Sequence, residues 1–249
     1  MAPPKQMPIK LIFFTPVFLS KSENQPPIPI ASITKLMTAL VATEYINLDK
    51  EIVITKEMIV QTSIPRLKIG DRISIFQLLY PLLLESSNEA AVAIARASGE
   101  NYFINLMNQK SEALGMGQTK FVDPSGSDAK NVSSAEDLFA LAKYLYNNRS
   151  FILKMSTGSL NKTAYGSSIF DLQNFNVFMD NPEFVGGKVG LTKKAKSTML
   201  AVFEIDLGEE KRPIAIIALG SEDAGKDIGI ILEHIKTSYE RNDLRTEIR

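Results

Sequence analysis

Three strand-like runs follow one another towards the C-terminal end of the chain, at residues 184–192, 198–205 and 213–219, each rich in β-branched or aromatic residues. The G-E-E-K-R stretch at residues 208–212 separates the second from the third and suits a hairpin turn. Before them the chain reads as helical for more than a hundred residues, and before that a further strand is expected at residues 9–19. Strands at both ends around a helical middle constrain the fold to an antiparallel sheet covered by helices, an α+β architecture with a mostly helical second lobe.

The helical middle has its own punctuation. Residues 32–47 carry apolar side chains at Ile33, Leu36, Met37, Leu40 and Val41, the spacing of a helix packed on a core. The short run E51-I-V-I-T55 reads as a strand. Ser74 with Gln77 forms a capping box for a helix that Pro81 should kink or end. Two more helices are expected at residues 88–97 and 100–114, followed by Gly99 and Gly115. Residues 121–128 are rich in turn formers. Ser133 with Glu136 reads as a capping box opening a helix to residue 147, and a last helix is expected from Asp227.

Composition excludes several kinds of chemistry. Lysine plus arginine equals aspartate plus glutamate at 28 each, so the charge balance gives no support for a nucleic-acid partner. The chain has no cysteine, which removes disulfides, thiolate nucleophiles and cysteine-ligated zinc. One histidine, His234, cannot build a multi-histidine metal site within one chain. No metal and no other cofactor is expected. In the last helix Ile228, Ile231, Leu232, Ile235 and Tyr239 share one face, and His234 falls off that stripe towards solvent. With 45% apolar and 22% charged residues the chain can bury a sizeable core.

Ser32 and Lys35 open the first long helix. Three residues apart, they lie about 60° apart around the helix and about 4.5 Å along it, so their side chains can meet. A serine hydroxyl is a weak nucleophile until a base takes its proton. A lysine amine kept neutral by burial or by a neighbouring cation can be that base. By itself the spacing is a weak signal, because S-x-x-K is frequent by chance. S86-S-N88 lies between two helices and K188-V-G-L-T192 lies on a strand. Taken singly these are a helix cap and an exposed strand end. The order S-x-x-K, S-x-N, K-x-G is the motif set of penicillin-binding proteins and related β-lactamases.

The wording of P29-I-A-S-I-T-K-L-M-T-A-L40, L82-L-L-E-S-S-N-E-A-A91, M107-N-Q-K-S-E-A-L-G-M116, F121-V-D-P-S-G126 and G186-G-K-V-G-L-T192 resembles the low-molecular-mass penicillin-binding proteins that act as D-alanyl-D-alanine carboxypeptidases. The resemblance implies a β-lactamase/transpeptidase-like fold. It also implies that Ser32 attacks the D-Ala-D-Ala carbonyl of a peptidoglycan stem peptide, releasing D-alanine and leaving an acyl-enzyme for water. Lys35 would be the base, Ser86 the proton relay to the leaving amine, and Asn88 the residue that positions Lys35 and the substrate amide. Lys188 and Thr192 would hold the terminal carboxylate beside Gly190, and the N–H groups of Ser32 and Leu191 would form the oxyanion hole. β-Lactam antibiotics would act as covalent inhibitors, and the substrate class implies the cell envelope, on its periplasmic or extracellular face.

Departures from the family pattern are expected to matter. Val189 stands where the family usually has threonine, and simple alternation places it on the opposite strand face from Lys188, Gly190 and Thr192. Residues 1–27 are expected to be an edge strand or the remnant of a signal peptide, and residues 28–249 the peptidase domain. The charged residues 240–249 resemble neither a C-terminal β-domain nor an amphipathic membrane anchor. Two other readings remain: a catalytically weak peptidoglycan-binding relative, suggested by Val189, and a serine β-lactamase, for which no added carboxylate base is identifiable. A Ser-His-Asp hydrolase would need His234, and there is no G-x-S-x-G elbow.

Overall fold

The computed structural model describes residues 9–13, 26–159, 168–206 and 211–240. Among them a four-stranded antiparallel sheet runs in the order β1 (Ile9–Phe13), β8 (Lys211–Ser221), β7 (Lys196–Asp206), β6 (Phe184–Thr192). The hairpin register pairs Asp206 with Lys211 and Phe203 with Ile214; of the turn expected at residues 208–212, Lys211 and Arg212 belong to β8 and residues 208–210 lie outside the described residues. β1 adds to the free side of β8, with Ile9 opposite Ala218 and Phe13 opposite Ile214. Residues 14–19 of the expected N-terminal strand, and the tail 241–249, also lie outside the described residues.

Both faces of the sheet are covered. Met199, Ala201, Phe203, Ile214, Ile216 and Ala218 pack against Ile228, Leu232 and Ile235 of α7 (Ala224–Glu240). The alternate residues Leu200, Val202, Ala215, Ile217 and Leu219 join the core of the helical lobe. This two-sided burial is why β7 and β8 read as continuous apolar runs instead of alternating ones. His234 is exposed on α7, in keeping with its place off the apolar stripe.

The helical lobe is assembled around α1 (Thr34–Tyr45), whose residues 34–42 are all buried. A helix buried on every side needs small or apolar residues all round, and the run T-K-L-M-T-A-L-V-A supplies them except at Lys35. Around it pack α2 (Ile75–Leu83), α3 (Asn88–Arg96), α4 (Glu100–Ala113) and α6 (Ser150–Ser156), with α5 (Ala135–Asn148) against α6 and β8. Two small ladders, β2 (Ile28–Pro29) with β5 (Val132–Ser133) and β3 (Glu51–Val53) with β4 (Arg72–Ser74), tie the loops together.

Several expectations need correction. The first helix is preceded by a 3₁₀ turn, Ala31–Ile33, so Ser32 sits in that tighter turn while Lys35 sits in α1. The cap of α5 is Ser134, whose hydroxyl accepts from the Asp137 N–H at 3.1 Å; Ser133 belongs to β5 instead. Consecutive serines offer two candidate caps, and pairing with Ile28 takes the first. Ser74 does cap α2, but Pro81 lies inside that helix and the helix continues to Leu83. The seven-residue α6 has no separate periodicity in the sequence, and the last helix begins at Ala224 instead of Asp227.

Candidate active site

The 3₁₀ turn aims Ser32 out of the helical lobe towards the edge of the sheet. Ala31, immediately before it, has φ +46, a left-handed conformation that a non-glycine residue adopts only where its surroundings impose it. β6 passes directly alongside: a Cβ added at Gly190 would lie 2.8 Å from the Ser32 nitrogen and 3.0 Å from Ala31 Cβ. Only glycine allows the strand this close. The Thr198 hydroxyl on β7 reaches the carbonyls of Ile30 (3.1 Å) and Gly190 (3.2 Å), fastening the turn to the sheet.

Lys35 is completely buried, and its Nζ lies 2.9 Å from Ser32 Oγ, 2.8 Å from Asn88 Oδ1 and 2.6 Å from the Ser125 carbonyl. Asn88 opens α3, behind the Ser87 cap whose hydroxyl accepts from the Ala90 N–H. Its orientation is set from behind: Nδ2 donates to the Gln61 carbonyl at 2.8 Å, so Oδ1 must face Lys35. Two of the three partners of Lys35 are carbonyl oxygens, which only accept. The third is a hydroxyl, which can also donate. A neutral amine has two N–H bonds and one lone pair, so it satisfies both carbonyls and leaves the lone pair for the Ser32 O–H.

The electrostatics favour that neutral form. Burial holds Lys35 well below the ordinary lysine value, the charge of Lys188 lowers it further, and the carboxylate of Asp123 opposes both. Lys188 on β6 is also fully buried; its Nζ donates to the Val189 carbonyl at 3.0 Å, and burial pushes it down to about 7. Below about pH 7 it is protonated in folded and unfolded chains alike, and the full cost of burying its charge is present. Between about 7 and 10.5 the folded protein has shed a proton that the unfolded chain keeps, so this lysine makes stability rise with pH. Lys188→Met should therefore flatten the curve: urea unfolding at pH 6 and pH 9 should show the parent gaining more than the variant between the two. An equal gain in both would count against the assignment.

Ser86, between α2 and α3, is half-buried and held at φ +61. Its neighbour Glu85 has no side-chain exposure and takes both arms of Arg66, Nη2 at 2.5 Å and Nε at 2.8 Å, while also accepting from the Gln173 N–H at 2.9 Å. The Ser86 turn is thereby clamped between two loops. Leu191 and Thr192 lie at the outer end of β6, the Leu191 side chain 76% exposed. Thr192 Oγ1 accepts from the Ala195 N–H at 3.0 Å, which leaves its own proton to donate. Val189 is half-buried between the buried Lys188 and Gly190, and it brings no hydroxyl.

The structure thus gathers Ser32, Lys35 and Asn88 through direct bonds and sets Gly190 against Ser32. The Ser125 carbonyl, Gln61, Arg66 and Glu85 escaped sequence reasoning. A backbone carbonyl has no side-chain signature, and only the D-P-S-G turn signal pointed at residue 125. A cleft of about 600 Å³ opens beside Asn88 and Ser125, lined also by Gln61, Thr62 and Glu100.

Comparison with known proteins points one way. D-alanyl-D-alanine endopeptidases are 40% identical over 119 residues in Pseudomonas aeruginosa (46% of this chain, 38% of that protein). In Haemophilus influenzae the figures are 40% over 153 residues (59% and 52%), and in Escherichia coli 31% over 204 residues (77% and 63%). This chain therefore spans between 38% and 63% of these relatives' length. A variant of a Streptomyces DD-transpeptidase superposes with a TM-score of 0.74 at 23% identity, covering 90% of this chain and 95% of that one. A D-alanyl-D-alanine carboxypeptidase from Mycobacterium tuberculosis gives 0.71 at 23% identity, covering 88% and 86%. At such identities the likeness is one of fold, and it is the α+β, transpeptidase-like fold expected above. The sequence profile described as D-alanyl-D-alanine carboxypeptidase matches residues 15–219, from ahead of the Ser32 turn to the end of the apolar run in β8, and on that span the chain belongs to the D-alanyl-D-alanine carboxypeptidase family.

Proposed function

We propose that the chain is a serine DD-peptidase that cleaves the D-Ala-D-Ala bond of peptidoglycan stem peptides through an acyl-enzyme on Ser32. The observation that carries this reading is the buried Lys35, whose two carbonyl partners direct its lone pair at Ser32 Oγ. Lys35 takes the hydroxyl proton as Oγ bonds to the carbonyl carbon. The oxyanion is met by the N–H groups of Ser32 and Leu191, a kind of donor pair whose loss typically costs about 3 kcal/mol in the transition state. As the C–N bond breaks, the proton passes through the Ser86 hydroxyl to the leaving amine. Lys188 and the free proton of Thr192 hold the terminal carboxylate. Water then releases the acyl group by the same base, and no cofactor is required. β-Lactams would acylate the same serine, and the substrate places the enzyme in the cell envelope. In this reading residues 28–249 form the catalytic domain and β1 lends it an edge strand. Among the described residues no helix is long and apolar enough to cross a membrane.

A second reading concerns the scissile bond. The relatives at 40, 40 and 31% identity are named endopeptidases, which favours hydrolysis of crosslinks alongside trimming of free stem ends. One experiment tests both. The protein is incubated with a labelled penicillin and the adduct located by mass spectrometry, then assayed for D-alanine release from a pentapeptide and for cleavage of a crosslinked dimer. Label on Ser32 with either product supports the reading. No label on Ser32 in folded protein overturns it. Label without either product leaves a binding protein that does not turn over, as Val189 would suggest.

A further inference from the structure

The stretch F121-V-D-P-S-G126 gives the chemistry above the Ser125 carbonyl, and it meets the nucleophile helix and the 3₁₀ turn before it at three points. The Pro124 carbonyl accepts from Thr38 Oγ1 at 2.6 Å, and the Ser125 carbonyl from Lys35 Nζ at 2.6 Å. Gly126, at φ +81, lies so close to Ala31 that a Cβ there would fall 1.9 Å from the Ala31 carbonyl oxygen. What shapes this turn is Asp123. Its Oδ1 accepts from the N–H groups of Ser125 (2.7 Å) and Gly126 (2.8 Å) and from Ser125 Oγ (2.7 Å). Its Oδ2 accepts from the Asp128 N–H (2.8 Å) and from Asn131 Nδ2. Asn131 is itself fully buried, its Oδ1 accepting from the N–H groups of Val122 (3.0 Å) and Asp123 (3.3 Å).

We propose that Asp123 is a positioning residue for Lys35: by closing the D-P-S-G turn it aims the Ser125 carbonyl at the amine, and its carboxylate sets a negative charge against the positive charge of Lys188 in the surroundings of that amine. This inference rests on the reading of Ser32 and Lys35 as nucleophile and base. A carbonyl on a loose turn would let the amine rotate, and a donor N–H would then compete with the lone pair for the space facing Ser32 Oγ. The turn carboxylate accepts from backbone N–H groups fixed relative to one another, so the carbonyl direction is set before substrate arrives. The charged groups acting on Lys35 are Lys188 from β6, which favours the neutral amine, and Asp123, which favours the protonated one. Ser32 and Asn88 face it uncharged. Asp128 and Glu100 share the cleft with Asp123. Although burial pushes Asp123 up, the Ser125 hydroxyl and the surrounding N–H groups hold it below the ordinary carboxylate value, so it stays charged.

Charge and shape can be separated. Asp123→Asn keeps the size and removes the charge, but it also sets an NH2 against donors that the carboxylate accepted from, so its plateau should fall too and only its limb reads the charge. Its acylation rate, followed against pH with a labelled penicillin, should have an acid limb displaced to lower pH, because Lys35 gives up its proton more readily once the opposing carboxylate is gone. Asp123→Glu keeps the charge but lengthens the side chain out of the turn. Its limb should stay in place while the plateau falls about 10- to 100-fold, with reversible binding of the ligand changed far less. A residue that merely stabilised the fold would lower the amount of active protein in both variants and move neither limb. Should Asp123→Asn not accumulate as folded protein, Asp123→Glu alone decides through its plateau. An unmoved limb in Asp123→Asn or an unchanged plateau in Asp123→Glu overturns the proposal. The parent protein is measured first: if its Ser32 takes no label, the proposed function fails, whereas a labelled parent with unaffected variants fails the role of Asp123 alone.

Discussion

Ser32→Ala is expected to abolish covalent attachment of penicillin and all release of D-alanine, while the melting temperature stays close to that of the parent. The hydroxyl is the atom that bonds to the acyl group, and among the described residues Ser32 supplies the only hydroxyl bonded to Lys35 Nζ, the other two partners being the Asn88 and Ser125 carbonyl oxygens. The side chain is half-buried and one bond is lost, that to Lys35 at 2.9 Å. A single hydrogen bond of this kind contributes on the order of 1 kcal/mol, so the change in stability should be of that size or less. Intact-mass spectrometry after incubation with penicillin, with a thermal melt on the same sample, reads both quantities. An adduct of normal yield on the variant would mean that a different residue is the nucleophile.

Lys35→Met should slow acylation of Ser32 by about 10² to 10⁴, the range that a positioned general base supplies. Methionine keeps much of the volume of the lysine stem inside α1 but has no lone pair strong enough to take the proton. Asn88 Oδ1 and the Ser125 carbonyl lose their donor, which costs about 1–3 kcal/mol for each group left buried and unpaired. Removing the buried amine offsets part of that cost. Lys35→Arg makes the complementary variant, since a guanidinium keeps the charge and cannot be deprotonated at usable pH. If the amine acts as a base, the arginine variant should be as slow as the methionine one. If it acts only by its charge, the arginine variant should retain most of the rate. Stopped-flow acylation on both, with reversible affinity measured separately, tells the two apart.

Much of the site could be read because its parts are side chains held by local geometry. Ser32 and Lys35 are three residues apart, and the step from 3₁₀ turn to α-helix preserves their contact. Asn88 belongs to a capped helix start, which the serine before it announces. Strands β6 to β8 could be read because each is long and apolar, whereas α6, with seven residues, could not. The one-residue error at Ser133 and Ser134 arose because either hydroxyl can cap, and only the pairing of β5 with β2 decides between them. Glu85 and Arg66 are ordinary charged residues in a sequence. Their mutual burial over the Ser86 turn exists only once the loops are folded.

By itself the amino-acid sequence determined which reactive groups the chain has and the order in which they occur: a serine and a lysine on one helical turn, an asparagine at a helix start, a second lysine on a strand. It also determined what the chain lacks, with no thiol and one solvent-facing histidine. The protonation of those groups was decided by the tertiary structure. Lys35 and Lys188 lie far apart in the chain, and each is ordinary until packing removes water from it; packing also brings the charge of Lys188 near Lys35. The partners that orient Lys35 were settled the same way, because a backbone carbonyl at Ser125 gains its role only when a turn closed around Asp123 carries it to 2.6 Å from the amine.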